Sequence, residues 1–102
     1  MAANVNTKQM EILVSIVTIR DLEKVTWTAP DGRAMETTKR GLVLCDGSDQ
    51  FYAEMYGKYA EEWQAPLPNV WLKLKATLRL KSWQDREQRT RYMTDVIINQ
   101  LG

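Results

Sequence analysis

From Val70 to Trp83 the chain reads VWLKLKATLRLKSW, and its residue types alternate. Even positions hold Val70, Leu72, Leu74, Ala76, Leu78 and Leu80. Odd positions hold Trp71, Lys73, Lys75, Thr77, Arg79, Lys81 and Trp83. A strand sends successive side chains to opposite faces, so the pattern predicts one wholly apolar face and one on which four cations stand between two indoles. The apolar face suits a core. The other suits phosphates and bases, or is simply a soluble surface. At about 3.3 Å per residue the stretch runs roughly 46 Å, well beyond a usual strand. It must bend around a barrel or project as a hairpin arm.

The rest of the chain supplies partners for it. Residues 1–9 are polar and read as a flexible N-terminal arm, leaving 10–102 as one domain. Met10 to Arg20, MEILVSIVTIR, reads as a strand apolar on both faces, which points to a covered barrel surface or a subunit interface. Asp21 to Trp27 continues or restarts it. Thr28 to Arg33, TAPDGR, is a turn, since proline presets one φ and the Asp-Gly pair supplies a positive one. Ala34 to Cys45 is the second strand, with Gly41 read as a bulge or bend. After the turn Asp46 to Asp49, the third strand is QFYAEMY, Gln50 to Tyr56, aromatic enough for core or stacking. Lys58 to Gln64 has helical propensity and stops before Pro66 and Pro68. The alternating stretch is the fourth strand, Gln84 to Arg89 its loop, and Thr90 to Leu101 the fifth strand. Three strands, a short helix and two more strands is the order of a mainly β, five-stranded OB-fold barrel with the helix between strands 3 and 4.

Composition excludes several function classes. The chain has no histidine and a single cysteine, Cys45, so zinc sites and Cys/His or Ser/His/Asp catalysis are ruled out, and no spacing points to other catalysis. The expectation is a protein that is not an enzyme and needs no cofactor or metal. No apolar run is long enough to span a membrane and the start lacks a secretory centre, which predicts a cytoplasmic protein. The formal net charge is only +1, but Trp71 to Thr94 holds seven cations (Lys73, Lys75, Arg79, Lys81, Arg86, Arg89 and Arg91) against Asp85 and Glu87. That surplus of five predicts a localised positive surface. Lys39 and Arg40 would extend it.

Two segments resemble the bacterial single-stranded DNA-binding protein family. Tyr56 to Glu61, YGKYAE, is similar to the family's aromatic-Gly-Lys-Leu-Ala-Glu signature at the end of the third strand. Leu78 to Asn99, LRLKSWQDREQRTRYMTDVIIN, is similar without a gap to its fourth-strand end, loop and fifth strand, where a tryptophan precedes the loop and Arg-Tyr-x-Thr-Glu/Asp-Val follows. The resemblance implies sequence-tolerant binding of single-stranded DNA, in replication, repair or recombination, by stacking and phosphate contacts. It also implies a homo-oligomer, a homodimer or homotetramer, for which the first strand, Ile12 to Ile19, offers the interface. Trp83 and Tyr56 fall on the family's stacking aromatics, whereas Gln50 stands nearest its other third-strand tryptophan, a place that Phe51 or Tyr52 could fill after a local shift. Gln88 stands where a loop glycine is usual. The chain ends at Gly102 without a Gly/Pro-rich tail or acidic tip, as in tailless members.

Stacking is therefore expected on Trp83, Tyr56 and Trp71, and phosphate contacts from the seven cations. RNA is a second candidate ligand, because stacking platforms discriminate poorly. The rival expectation is an OB-fold protein-assembly or primosome-like accessory module with weak or no DNA binding.

Overall fold

The computed structural model describes residues 5–102. The alternating stretch forms a strand, β5 (Leu72–Gln84), that is paired on both edges. One neighbour is β1 (Val5–Ile19), antiparallel from Val14 opposite Leu72 to Val5 opposite Lys81; the other is β6 (Thr90–Leu101), joined to it as a hairpin. The remaining elements are β2 (Glu23–Thr28), β3 (Ala34–Cys45), β4 (Gln50–Tyr56) and a short helix, α1 (Gly57–Glu62), directly after β4. The described residues are mainly β with one short helix.

Strand pairing closes on itself. β1 pairs with β5, β5 with β6, β6 with β4, β4 with β3, and β3 returns to β1, so five strands form a ring with β2 outside it as the hairpin partner of β3. Four of the ring's seams are antiparallel ladders. The fifth, between β4 and β6, is parallel and holds a single bridge, Glu54 opposite Ile97. Helix α1 staples this seam: the Tyr59 hydroxyl accepts the Leu101 N–H at 2.7 Å, and the Trp63 indole donates to the Leu101 carbonyl at 3.1 Å. Trp63 is partly buried and packs against the core beside this seam.

The core follows strand parity. Leu74 and Ala76 of β5 meet Val14 of β1, Leu42 and Leu44 of β3, Ala53 and Met55 of β4, Ala60 of α1, and Ile98 and Leu101 of β6, all buried. The apolar face of β5 outlasts this core: Leu80 is exposed because the hairpin runs past the ring. The strand runs through the ring and projects from it. β1 extends along the projecting part, so the arm has three strands.

Several elements differ from the sequence reading. Of the predicted arm at 1–9, residues 1–4 lie outside the described residues, and 5–9 are strand, paired with Lys81 to Thr77. Alternation in that segment is too polar to announce a strand, and the partner β5 supplies the reason for one. The segment predicted at Asp21 to Trp27 is a separate strand, β2 (Glu23–Thr28), making six strands among the described residues. Gly41 is not a bulge. The extra residues are Val17 of β1 and Asn99 of β6, where the registers shift, and Gly41 serves a close approach described below. The turns form as expected: Gly32 and Gly47 take φ of 87° and 101°, and the Asp46 carboxylate accepts the N–H groups of Ser48 and Asp49.

Because Leu74 is fully buried where β1, β5 and β6 meet, Leu74→Ala is expected to cost about 2–5 kcal/mol of unfolding free energy. Urea denaturation checks this, and a loss below about 1 kcal/mol would place the core elsewhere.

Candidate nucleic-acid interface

Parity that sends Phe51, Ala53 and Met55 of β4 inward turns Tyr52, Glu54 and Tyr56 outward. Their neighbours across β3 are Val43, Gly41 and Lys39. These side chains form one network. The Glu54 carboxylate accepts the Tyr56 hydroxyl at 2.8 Å and the Tyr52 hydroxyl at 3.1 Å, and pairs with Lys39 Nζ at 3.0 Å. A β-carbon at Gly41 would lie 2.1 Å from the Tyr52 hydroxyl oxygen and 2.6 Å from the ring carbon bearing it. The phenol therefore lies across the glycine, and Gly41 is needed for want of a side chain. Tyr52 remains 47% exposed and Tyr56 36%.

The network sets its own ionisation. Burial raises the Tyr56 phenol and the bond to Glu54 raises it further, to about 12; Tyr52 is raised by the same causes. Burial also works to raise Glu54, but the bonds from Lys39, Tyr56 and Tyr52 outweigh it and hold the carboxyl below its usual range. The bond to Glu54 raises Lys39. At neutral pH the centre is a carboxylate clasped by an ammonium and two neutral phenols.

The surface continues from β4 across the seam onto the β5–β6 hairpin. Glu54 faces Ile97, and the outward residues beyond it are Asp95, Met93 and Arg91 of β6, opposite Arg79, Lys81 and Trp83 of β5. β4 and β6 part beyond their single bridge and leave a cleft of about 480 Å³ lined by Phe51, Tyr52, Glu54 and Met93 to Val96. On the other flank, β2 presents Trp27 opposite Met35, on the side shared with Lys39.

The predicted site residues divide into groups. Trp83, 44% exposed, stands near the end of β5 opposite Arg91 and on the side of Arg79 and Lys81. Tyr56 joins that surface through Glu54 and Ile97. Trp71 does not. It precedes β5 and lies beside Gly47 of the β3–β4 turn, twelve positions from Trp83, or roughly 40 Å along the strand. Strand parity placed the two indoles together, but β5 begins one residue after Trp71. Lys73 and Lys75 occupy the same end, opposite Leu13 and Glu11 of β1. Arg86 and Arg89 belong to the hairpin tip.

Ion pairing reduces the positive surplus read from the sequence. Asp95 lies one residue beyond the basic stretch, yet the register sets it opposite Arg79, and its Oδ2 pairs with Lys81 at 2.8 Å and Arg79 at 3.1 Å. Lys73 pairs with Glu11 at 3.2 Å, Arg91 with Asp85 at 2.8 Å, and Arg89 with Glu87 and Asp85. Among the described residues, Lys75 and Arg86 have no such partner. Lys81 and then Arg79 hold the Asp95 carboxyl low, and Arg91 with the Arg89 backbone N–H holds Asp85 low. Asp85 also shapes the tip: its Oδ1 accepts the N–H groups of Glu87 and Arg89, while Gln88 takes a left-handed φ of 60°, a conformation more usual for glycine.

Sequence reading passed over Trp27, Glu54 and Met93, and left Tyr52 undecided. The signal was present in YAEMY, whose period of two puts Tyr52, Glu54 and Tyr56 on one side once Met55 is assigned to the core. Tyr52 faces outward with no shift of register. Comparison of the chain with protein-family models and with curated proteins finds no match.

Two titrations follow from the network. Glu54 and Asp95 have folded pKa values below their unfolded ones, so their stabilisation is present above the unfolded carboxylate range near 4 and is lost as pH falls through the folded values. Glu54→Gln is expected to flatten the acid limb of the stability–pH curve; an unchanged limb would contradict the network. At alkaline pH one phenol should ionise near 12, and Tyr56→Phe should remove it from the phenolate absorbance titration.

Proposed function

We propose that the chain is a single-stranded DNA-binding domain of the OB-fold type that uses base stacking and phosphate contacts with little sequence preference. The observation that carries this reading is the outward row of Trp27, Tyr56, Tyr52 and Trp83, interleaved with Lys39, Arg79, Lys81 and Arg91 on one side of a closed ring. Flat rings suit bases of any identity, and cations suit the backbone between them. The five-strand ring, the helix after β4 and the family-like segments at Tyr56 and Leu78–Asn99 support the OB-fold assignment. Tyr56 and Trp83 act as stacking platforms. Arg79, Lys81 and Arg91 exchange their carboxylate partners for phosphates, a swap made inexpensive by their partial exposure. Lys75, Arg86 and Arg89 add charge at the margins, whereas Trp71 and Lys73 are left to another surface. RNA presents the same rings and phosphates and belongs to the same ligand class.

Self-association is part of this proposal. On the outward side of β1, Leu13 is 60% exposed and Val17 bulges out, so an apolar strip lies where a second copy could pair. Leu13→Arg is expected to shift the chain towards monomer in sedimentation velocity; an unaltered distribution removes β1 from the interface.

A protein-assembly module is the second reading, favoured by one observation: five of the seven sequence-predicted cations already have acidic partners. Fluorescence titration separates the two. Oligo-dT is expected to quench tryptophan emission, with log affinity falling linearly against log salt. Trp83→Ala should weaken binding by about 1–3 kcal/mol while leaving the melting temperature within a few degrees. Absence of quenching and of binding at low salt would favour the assembly reading.

A further inference from the structure

We propose that Tyr52 is a base-stacking platform in the cleft between β4 and β6, given room for its hydroxyl end by Gly41 and positioned, together with Tyr56, by the Glu54 carboxylate. The inference rests on the single-stranded DNA reading and adds a site to it. Three observations carry it.

The first is the shape of the contact at Gly41. A β-carbon at Gly41 would stand within 2.8 Å of the Tyr52 hydroxyl oxygen, the ring carbon bearing it and one neighbouring ring carbon, so the hydroxyl end of the phenol is seated against this backbone. The ring as a whole remains half exposed. A ring fixed at its hydroxyl end and half open to solvent can accept a base with little rearrangement, so little ordering cost opposes binding.

The second is the double use of Glu54. Both hydroxyls of the pair donate to this one carboxylate, each to a different oxygen, and Lys39 anchors it from β3. Two exposed tyrosines on alternate positions of a strand would otherwise sample several rotamers. Here they are tied to one acceptor between them. Glu54 is a positioning residue: it touches the rings by their hydroxyls and leaves their faces free.

The third is the space. The cleft beside Tyr52 has about 480 Å³, ample for a nucleobase, and is walled by Phe51, Met93 and Val96. The Met93 thioether, half exposed across from Tyr52, supplies a soft second wall for a flat ring. The ligand class is an unpaired base of a single strand, because a base in a duplex cannot turn its face to the platform.

The test uses the full chain, oligo-dT binding and thermal unfolding together. Tyr52→Leu is expected to weaken binding roughly 5- to 150-fold with unfolding little changed, and Tyr52→Phe to retain most of the affinity. Gly41→Ala should weaken binding in the unaltered chain but have no further effect in the Tyr52→Leu background, since its action runs through the phenol. Glu54→Ala should lower affinity and Glu54→Gln, which keeps an acceptor, should restore part of it. Normal binding by Tyr52→Leu, or an equal effect of Gly41→Ala in both backgrounds, overturns this inference and leaves the wider reading standing. Failure of the unaltered chain to bind oligo-dT overturns both.

Discussion

The ring depends on how its weakest seam is closed. Four junctions are ladders of backbone hydrogen bonds, but β4 and β6 meet at one parallel bridge. What keeps them together is Tyr59 and Trp63 fastening α1 to Leu101, with Met55, Ala60, Ile98 and Leu101 packed behind. A long parallel ladder here would seal the surface. A single bridge lets the strands diverge towards Met93, and the divergence is the cleft. The same constraint therefore fixes the fold and opens the place where aromatic and charged side chains gather.

Around this cleft the outward surface is balanced. Each cation near the centre has a carboxylate: Lys39 has Glu54, Arg79 and Lys81 share Asp95, and Arg91 has Asp85. Such pairs at a solvent-exposed surface contribute little to stability. They hold long side chains in position and offset their charge. Aromatic residues complete the surface. In the proposed role, stacking sets the base sites and the paired cations tune the affinity and its dependence on salt.

Much of the architecture was legible in the chain. Alternation in β5, the Pro-Asp-Gly and Asp-Gly turns, the helix after Tyr56 and the hairpin at Asp85 all follow from local chemistry. What local chemistry does not carry is the partner. Residues 5–9 become strand because β5 extends beside them, and Asp95 is shared by two cations because the hairpin register sets it opposite Arg79. Gly41 was read as a bulge or bend, whereas the bulges stand at Val17 and Asn99 and Gly41 makes room for a side chain eleven residues away. Trp71 was joined to Trp83 by parity across a strand that in fact starts after it. Within β4 the pattern was sufficient: the burial of Met55 alone turns Tyr52 and Tyr56 outward.

The central claim is that one surface, running from Trp27 through the two tyrosines to Trp83, is the nucleic-acid interface. Residue-by-residue amide NMR of the chain with and without oligo-dT tests it most directly. The account predicts shifts concentrated at Trp27, Lys39, Tyr52, Glu54, Tyr56, Arg79 to Trp83 and Arg91 to Asp95, with Leu13 and Trp71 unmoved. Shifts centred on Trp71 and the Asp46–Asp49 turn, or none anywhere, would contradict it.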